Sequence, residues 1–221
     1  MFADPHSRAV LIYRWIVFLM AGFYSVHMIT TASYAGPGGP FRYLTVWALL
    51  LSFFCASRVL AFSERRSDMR WDEVIAATAV LNAMVVFLYW RLFLADPTSV
   101  TRNGELGVWW REYYLHGLGP LLMWLDAVLI NRPFRRFLPS AATLIGVVVV
   151  YLTWAEGFVQ RFNDAPRGTV TSGLPYPFLN SLELGARLSF YGVNIATALV
   201  LLAFFFALGR AMTRGFGDRR P

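Results

Sequence analysis

Tyr114-Leu115-His116-Gly117-Leu118-Gly119-Pro120-Leu121-Leu122-Met123-Trp124-Leu125-Asp126 reads as one membrane-spanning helix with a single imidazole near its start. A proline follows that histidine by four residues. Proline has no N–H, and its ring crowds the carbonyl four residues back, here that of His116. The helix is therefore expected to open at the histidine, with Gly117 and Gly119 leaving room beside it. A titratable base next to loosened backbone inside a bilayer marks a candidate functional site. The plainer reading is a buried histidine bonded to a neighbouring helix beside a routine kink.

The chain around this stretch has the same character. Of 221 residues, 57% are hydrophobic and only 15% charged, too few charges to clothe a soluble domain. Mean hydropathy is +0.50. The net charge of +7 would point to nucleic acid in a soluble chain, but the arginines sit at the ends of apolar runs, so membrane topology accounts for them and no nucleic-acid partner is expected. All 20 basic residues are arginine, as in an arginine-biased genome, and the expected location is a bacterial inner membrane. The one cysteine, Cys55, lies inside an apolar run, which rules out an internal disulfide. Zinc-type Cys/His spacing, a P-loop and a dinucleotide glycine pattern are all missing, so neither metal nor cofactor is expected.

Six apolar stretches, about 9–31, 41–62, 71–95, 113–130, 138–159 and 181–208, are each long enough to cross ~30 Å of hydrocarbon. The expected fold is an all-α membrane protein, a single six-helix bundle without a soluble domain. Ser33-Tyr34-Ala35 imitates a signal-peptidase site, but the run before it far exceeds the ~7–15 residues of a signal core, so a retained helix is expected. Asn180-Ser181-Leu182-Glu183 has capping-box spacing and is expected to start the last helix. Eleven arginines (8, 65, 66, 70, 132, 135, 136, 210, 214, 219 and 220) fall on one side of the bilayer, and five (42, 102, 111, 161 and 167) on the other. The positive-inside rule then puts both termini in the cytoplasm.

With that topology, spans two and four both begin at the outer face. Thr45 lies three residues past Arg42, about 4.5 Å into its helix, and His116 four past Glu112, about 6 Å. A hydroxyl and an imidazole thus reach nearly one depth, as a nucleophile and its base must. Most membrane threonines instead bond back to their own helix. His27, Arg91 and Glu156 share the outer layer, with Arg187, Tyr191 and Asn194 on the outer half of span six. For the charged members the plain alternative is snorkelling or an ion pair; Asn82 and Asn194 suit interhelical bonding. Asp126, ten residues beyond His116 and about 15 Å deeper, is too far to serve that imidazole and is expected to pair with Arg58.

These residues carry a resemblance. Arg42-Tyr43-Leu44-Thr45 is similar to the threonine motif of the androgen-induced-gene family of six-span transmembrane hydrolases. The fourth span resembles that family's histidine span, with its following proline and an acid ten residues on, here Asp126. Tyr176-Pro177-Phe178-Leu179, then Gly185-Ala186-Arg187 and Phe190, resembles its last loop and the start of its sixth span. The likeness covers about residues 42–205, and the proline stands one residue closer to the histidine than in animal members. The resemblance implies a threonine-dependent hydrolase with Thr45 as nucleophile and His116 as base. Animal members cleave fatty acid esters of hydroxy fatty acids, so a lipid ester substrate and membrane lipids are the expected partners.

The chemistry of the pair agrees. A threonine hydroxyl is a poor nucleophile until a base takes its proton, and Thr45, being internal, has no α-amine of its own to use. Imidazole can accept that proton and return it to the leaving alkoxide. Glu112 or Glu156 is the acid available to orient it. Arg187, and after it Arg91, is expected to hold a substrate carboxylate, while Tyr191, Asn194 or the backbone opened by Pro120 would face the oxyanion. Two other classes stay open: a bis-histidine haem protein using His27 and His116, and a transporter or scaffold in which these polar groups only pack.

Overall fold

The computed structural model describes residues 3–101, 104–163 and 173–217, and among them every regular element is helical. Six helices are long and apolar enough to cross a membrane. They are α1 (Arg8–Thr31), α2 (Leu44–Ser63), α3 (Asp72–Ala95), α4 (Trp109–Asn131), α5 (Phe137–Gln160) and α6 (Leu184–Gly217). Arg102, Arg167, Arg219 and Arg220 of the orientation argument lie outside the described residues.

The central helix is α3, which packs on α2, α4, α5 and α6. Its middle is made of small residues: Ala76, Ala77, Thr78 and Ala79 are fully buried, and such side chains let neighbouring backbones come close. On α1, by contrast, Ile12, Ile16, Leu19, Phe23 and Val26 face outward, the stripe lipid would cover.

Several boundaries differ from the sequence reading: α4 begins at Trp109 rather than 113, α6 runs to Gly217 rather than 208, and two helix starts shift for identifiable local reasons. α2 starts at Leu44 rather than 41, because Gly39–Arg42 forms a tight 3-10 turn instead. α6 starts at Leu184, and Asn180 does not cap it. The Asn180 amide is held by the preceding loop, accepting from the Leu174 N–H at 2.9 Å and donating to the Leu174 carbonyl at 3.2 Å. Gly173 makes that loop possible. It has φ +64°, and a Cβ there would collide with the Asn163 and Asn180 side chains.

At the end of the bundle that holds the start of α1, α2 is tied to the chain before α1 by the Ser63 hydroxyl, which donates to the Pro5 carbonyl at 2.5 Å. Deeper in, Arg14 of α1 grips Asp126 of α4 through a fork, Nε to Oδ2 at 2.7 Å and Nη2 to Oδ1 at 2.9 Å. The third nitrogen, Nη1, serves the Val59 carbonyl and Ser63 Oγ, both at 2.9 Å. Arg58 is therefore not the partner of Asp126. Its Nε donates to Ser57 Oγ at 3.1 Å, and its guanidinium lies 5.6 Å from the Phe54 ring.

α4 and α5 are not uniform. π-Helical turns occur at Tyr114–Leu118, Asp126–Asn131 and Ala155–Gln160. Each carries an ionisable side chain directed to a partner within the protein: His116, Asp126 and Glu156. Such turns insert one residue into the helical ladder and recur at functional sites.

Candidate active site

His116 sits where the ladder fails. Its backbone has left the helical region, with φ −111° and ψ 17°, and the next amide to close a turn, Gly119 N–H, reaches five residues back to Tyr114. The His116 carbonyl, deprived of a donor at Pro120, accepts the Trp90 indole N–H at 2.8 Å. The two glycines differ in what they do. A Cβ on Gly119 would stand 3.0 Å from the Tyr114 carbonyl and 3.1 Å from its ring, whereas Gly117 faces open space.

The imidazole is buried and fixed on two sides. It stacks on Tyr89 of α3 with centroids 3.5 Å apart and planes 4° from parallel. Nδ1 lies 3.2 Å from the Glu112 carbonyl oxygen and 3.4 Å from Glu112 Oε2. Both neighbours are acceptors, so Nδ1 carries the proton and Nε2 is the basic nitrogen. Glu112 is itself held: Tyr89 OH donates to Oε2 at 3.3 Å and Arg111 Nη2 to Oε1 at 3.2 Å. Glu156, the other candidate to orient the ring, is used elsewhere, as described below.

Thr45 is the second residue of α2. Its position explains why it does not behave like the threonines deeper in the spans. Thr78, Thr143 and Thr197 each donate to a carbonyl four residues back. For Thr45 the corresponding carbonyls precede the helix. Phe41 O already accepts Trp47 Nε1 at 2.7 Å, and Arg42 O accepts Tyr151 OH at 2.9 Å. The Thr45 hydroxyl makes no hydrogen bond among the described residues.

Thr45 and His116 line one cavity of about 720 Å³. It opens where α1 ends, α2 begins, α3 ends and α4 begins, under the loops at 32–36 and 175–176. This volume is that of a small-molecule site. Its charged walls are Arg42, Arg111 and Glu112, of which the two arginines were not singled out in sequence as ligand contacts. Their signal was proximity, three residues before Thr45 and five before His116. Tyr176 also borders the cavity, and desolvation by the surrounding protein pushes its phenol up to about 12, so it keeps its proton at neutral pH.

The other candidate residues lie apart from this cavity. Arg187 forks onto Glu156, Nε to Oε1 at 2.8 Å and Nη2 to Oε2 at 2.9 Å, and its Nη1 donates to the Leu182 carbonyl at 2.6 Å. Tyr191 OH adds a bond to Glu156 Oε1 at 2.6 Å. The guanidinium expected to grip a substrate carboxylate thus already grips a protein one. Arg91 is exposed, 5.8 Å from the Phe87 ring. Tyr191 and Asn194 border a different, apolar pocket. His27 rests against Phe23 and Trp110, with centroids 6.0 and 5.0 Å away, and is not among the residues lining the His116 cavity.

The chain is thus a six-helix membrane-type bundle with a large cavity of mixed polar and apolar lining at one end. The chain belongs to the FAR-17a/AIG1-like protein family, whose model matches residues 8–212. No curated protein and no solved structure gives a significant match.

Proposed function

We propose that the protein is an intramembrane hydrolase of lipid esters, with Thr45 as nucleophile and His116 as general base. The observation that carries this reading is the shared cavity. Residues 71 positions apart in sequence both line it, one with its hydroxyl unbonded among the described residues and the other with Nδ1 turned to Glu112. Family membership is compatible with it.

In the proposed reaction His116 Nε2 takes the proton of Thr45 Oγ1 as that oxygen attacks the ester carbonyl carbon. The tetrahedral intermediate collapses, the imidazolium protonates the departing alkoxide, and Thr45 is left acylated. Water, activated by the same nitrogen, then releases the fatty acid and restores the hydroxyl. Glu112 keeps the ring in the tautomer with a free Nε2 and offsets the imidazolium charge. Attack takes place in the first turn of α2, where the helix dipole favours a developing oxyanion. Arg42 and Arg111 are the cations that a carboxylate on the alcohol half, as in a fatty acid ester of a hydroxy fatty acid, would meet.

The test is covalent. Protein purified into nanodiscs should release fatty acid from such esters, and a fluorophosphonate should label Thr45, mapped by peptide mass spectrometry, and stop that release. No labelling, or labelling that persists in Thr45→Ala, would sink the assignment.

A further inference from the structure

A second, smaller pocket of about 80 Å³ lies beside the first, between α3, α5, α6 and the loop at 174–179. Leu81, Met84, Val148, Leu152 and Ile195 give it an almost wholly apolar wall. Four residues with polar groups also border it; Tyr176 stands at the side shared with the larger cavity, and the other three each turn a polar atom into the protein. Tyr151 OH donates to the Arg42 carbonyl at 2.9 Å, Tyr191 OH to Glu156 at 2.6 Å, and Asn194 Nδ2 to the Phe190 carbonyl at 2.8 Å. Away from Tyr176, what remains for a ligand is hydrocarbon.

The pocket adjoins the candidate active site. Leu44, Leu88, Pro175 and Tyr176 line both cavities, and Leu44 is the residue before Thr45. Its walls are also braced. The Asn180 amide pins the loop at Leu174, and Arg187 with Tyr191 ties α6 to Glu156 on α5. Arg187 and Tyr191 thereby shape the pocket without needing to touch a head group.

Resting on the hydrolase reading, we propose that this pocket is the acyl-chain site: it takes the hydrocarbon chain of the ester whose carbonyl Thr45 attacks. A carbonyl at Thr45 puts its first methylenes against Leu44 and Leu88, and the chain continues towards Leu152 and Ile195. The chain comes from lipid, not water, so the pocket selects by fit more than by hydrophobic transfer. Chain-length preference is therefore set by the volume between α5 and α6.

The experiment fills the pocket from either helix. Ala198→Phe on α6 and Ala155→Leu on α5 both enlarge buried residues of the lining. In nanodiscs, kcat/KM for a nitrophenyl palmitate should fall about tenfold or more in each variant, with the butyrate ester within about twofold of wild type. Equal losses on both esters, or no loss on either, would overturn the chain site. A palmitic acid carrying a mid-chain diazirine gives a reading independent of turnover. On irradiation it should mark peptides spanning 148–155 or 190–198 in wild type and lose those adducts in both variants. Adducts confined to outward-facing residues would refute the pocket even if hydrolysis stands. Adducts in the pocket without turnover of any ester would reject the hydrolase and retain the chain site.

Discussion

His116 turns Nδ1 onto the preceding turn of its own helix, 3.2 Å from the Glu112 carbonyl and 3.4 Å from Glu112 Oε2. This contact fixes which nitrogen is the base. Glu112→Leu should lower kcat for a neutral short-chain ester about a hundredfold, with KM nearly unchanged, since the acid acts through the imidazole and not on the substrate. Glu112→Gln should fall between it and wild type, because an amide oxygen still accepts from Nδ1 but carries no charge. Steady-state kinetics on the three proteins decides it, and an unchanged kcat in Glu112→Leu would remove the acid from the mechanism.

Thr45→Ala and His116→Ala should each abolish ester hydrolysis in a folded, extractable protein. The double variant should be hardly worse than either single one, because a nucleophile and its base act as a unit. Thr45→Ser keeps the hydroxyl and should keep part of the activity. His27→Ala is the control: activity lost there but kept in His116→Ala would move the base to α1.

The Arg14–Asp126 pair joins α1 to α4 with both side chains out of solvent. Removing one partner strands the other's charge, so Arg14→Leu or Asp126→Leu should each cost about 3–5 kcal/mol of stability. Replacing both with leucine should cost much less. Thermal unfolding in detergent measures this, and additive losses in the double variant would show that the pair has no such coupling.

Both termini are proposed to be cytoplasmic. The native thiol, Cys55, is fully buried and should give little background to accessibility labelling. A cysteine placed at Val100 should then react with an impermeant maleimide added outside, and one at Arg135 should not. The reverse pattern would invert the protein and put the Thr45–His116 cavity at the inner face.

The helical framework could be read from neighbours along the chain. A span is a run of apolar residues longer than the bilayer is thick, so six spans follow from composition and length. The break at His116 follows from Pro120 four residues on, and the Glu112 contact from four residues before, because in a helix those positions lie one turn apart. Matched depth on parallel spans raised Thr45 beside His116, and the family resemblance nominated the pair.

Partner choice between helices could not be read that way. Asp126 meets Arg14 rather than Arg58, and Arg187 meets Glu156 rather than a substrate, although all four arrangements suit the depths of the residues. Depth is fixed by counting residues along an axis. Which face of one helix meets which face of another depends on crossing and rotation, set by the small-residue packing around α3. The same holds for the Asn180 capping box, whose side chain found better acceptors and donors in the folded loop than at the helix start. The apolar pocket between α3, α5 and α6 likewise belongs to no single segment, since its walls come from side chains 154 positions apart, Leu44 and Ala198, brought together by packing.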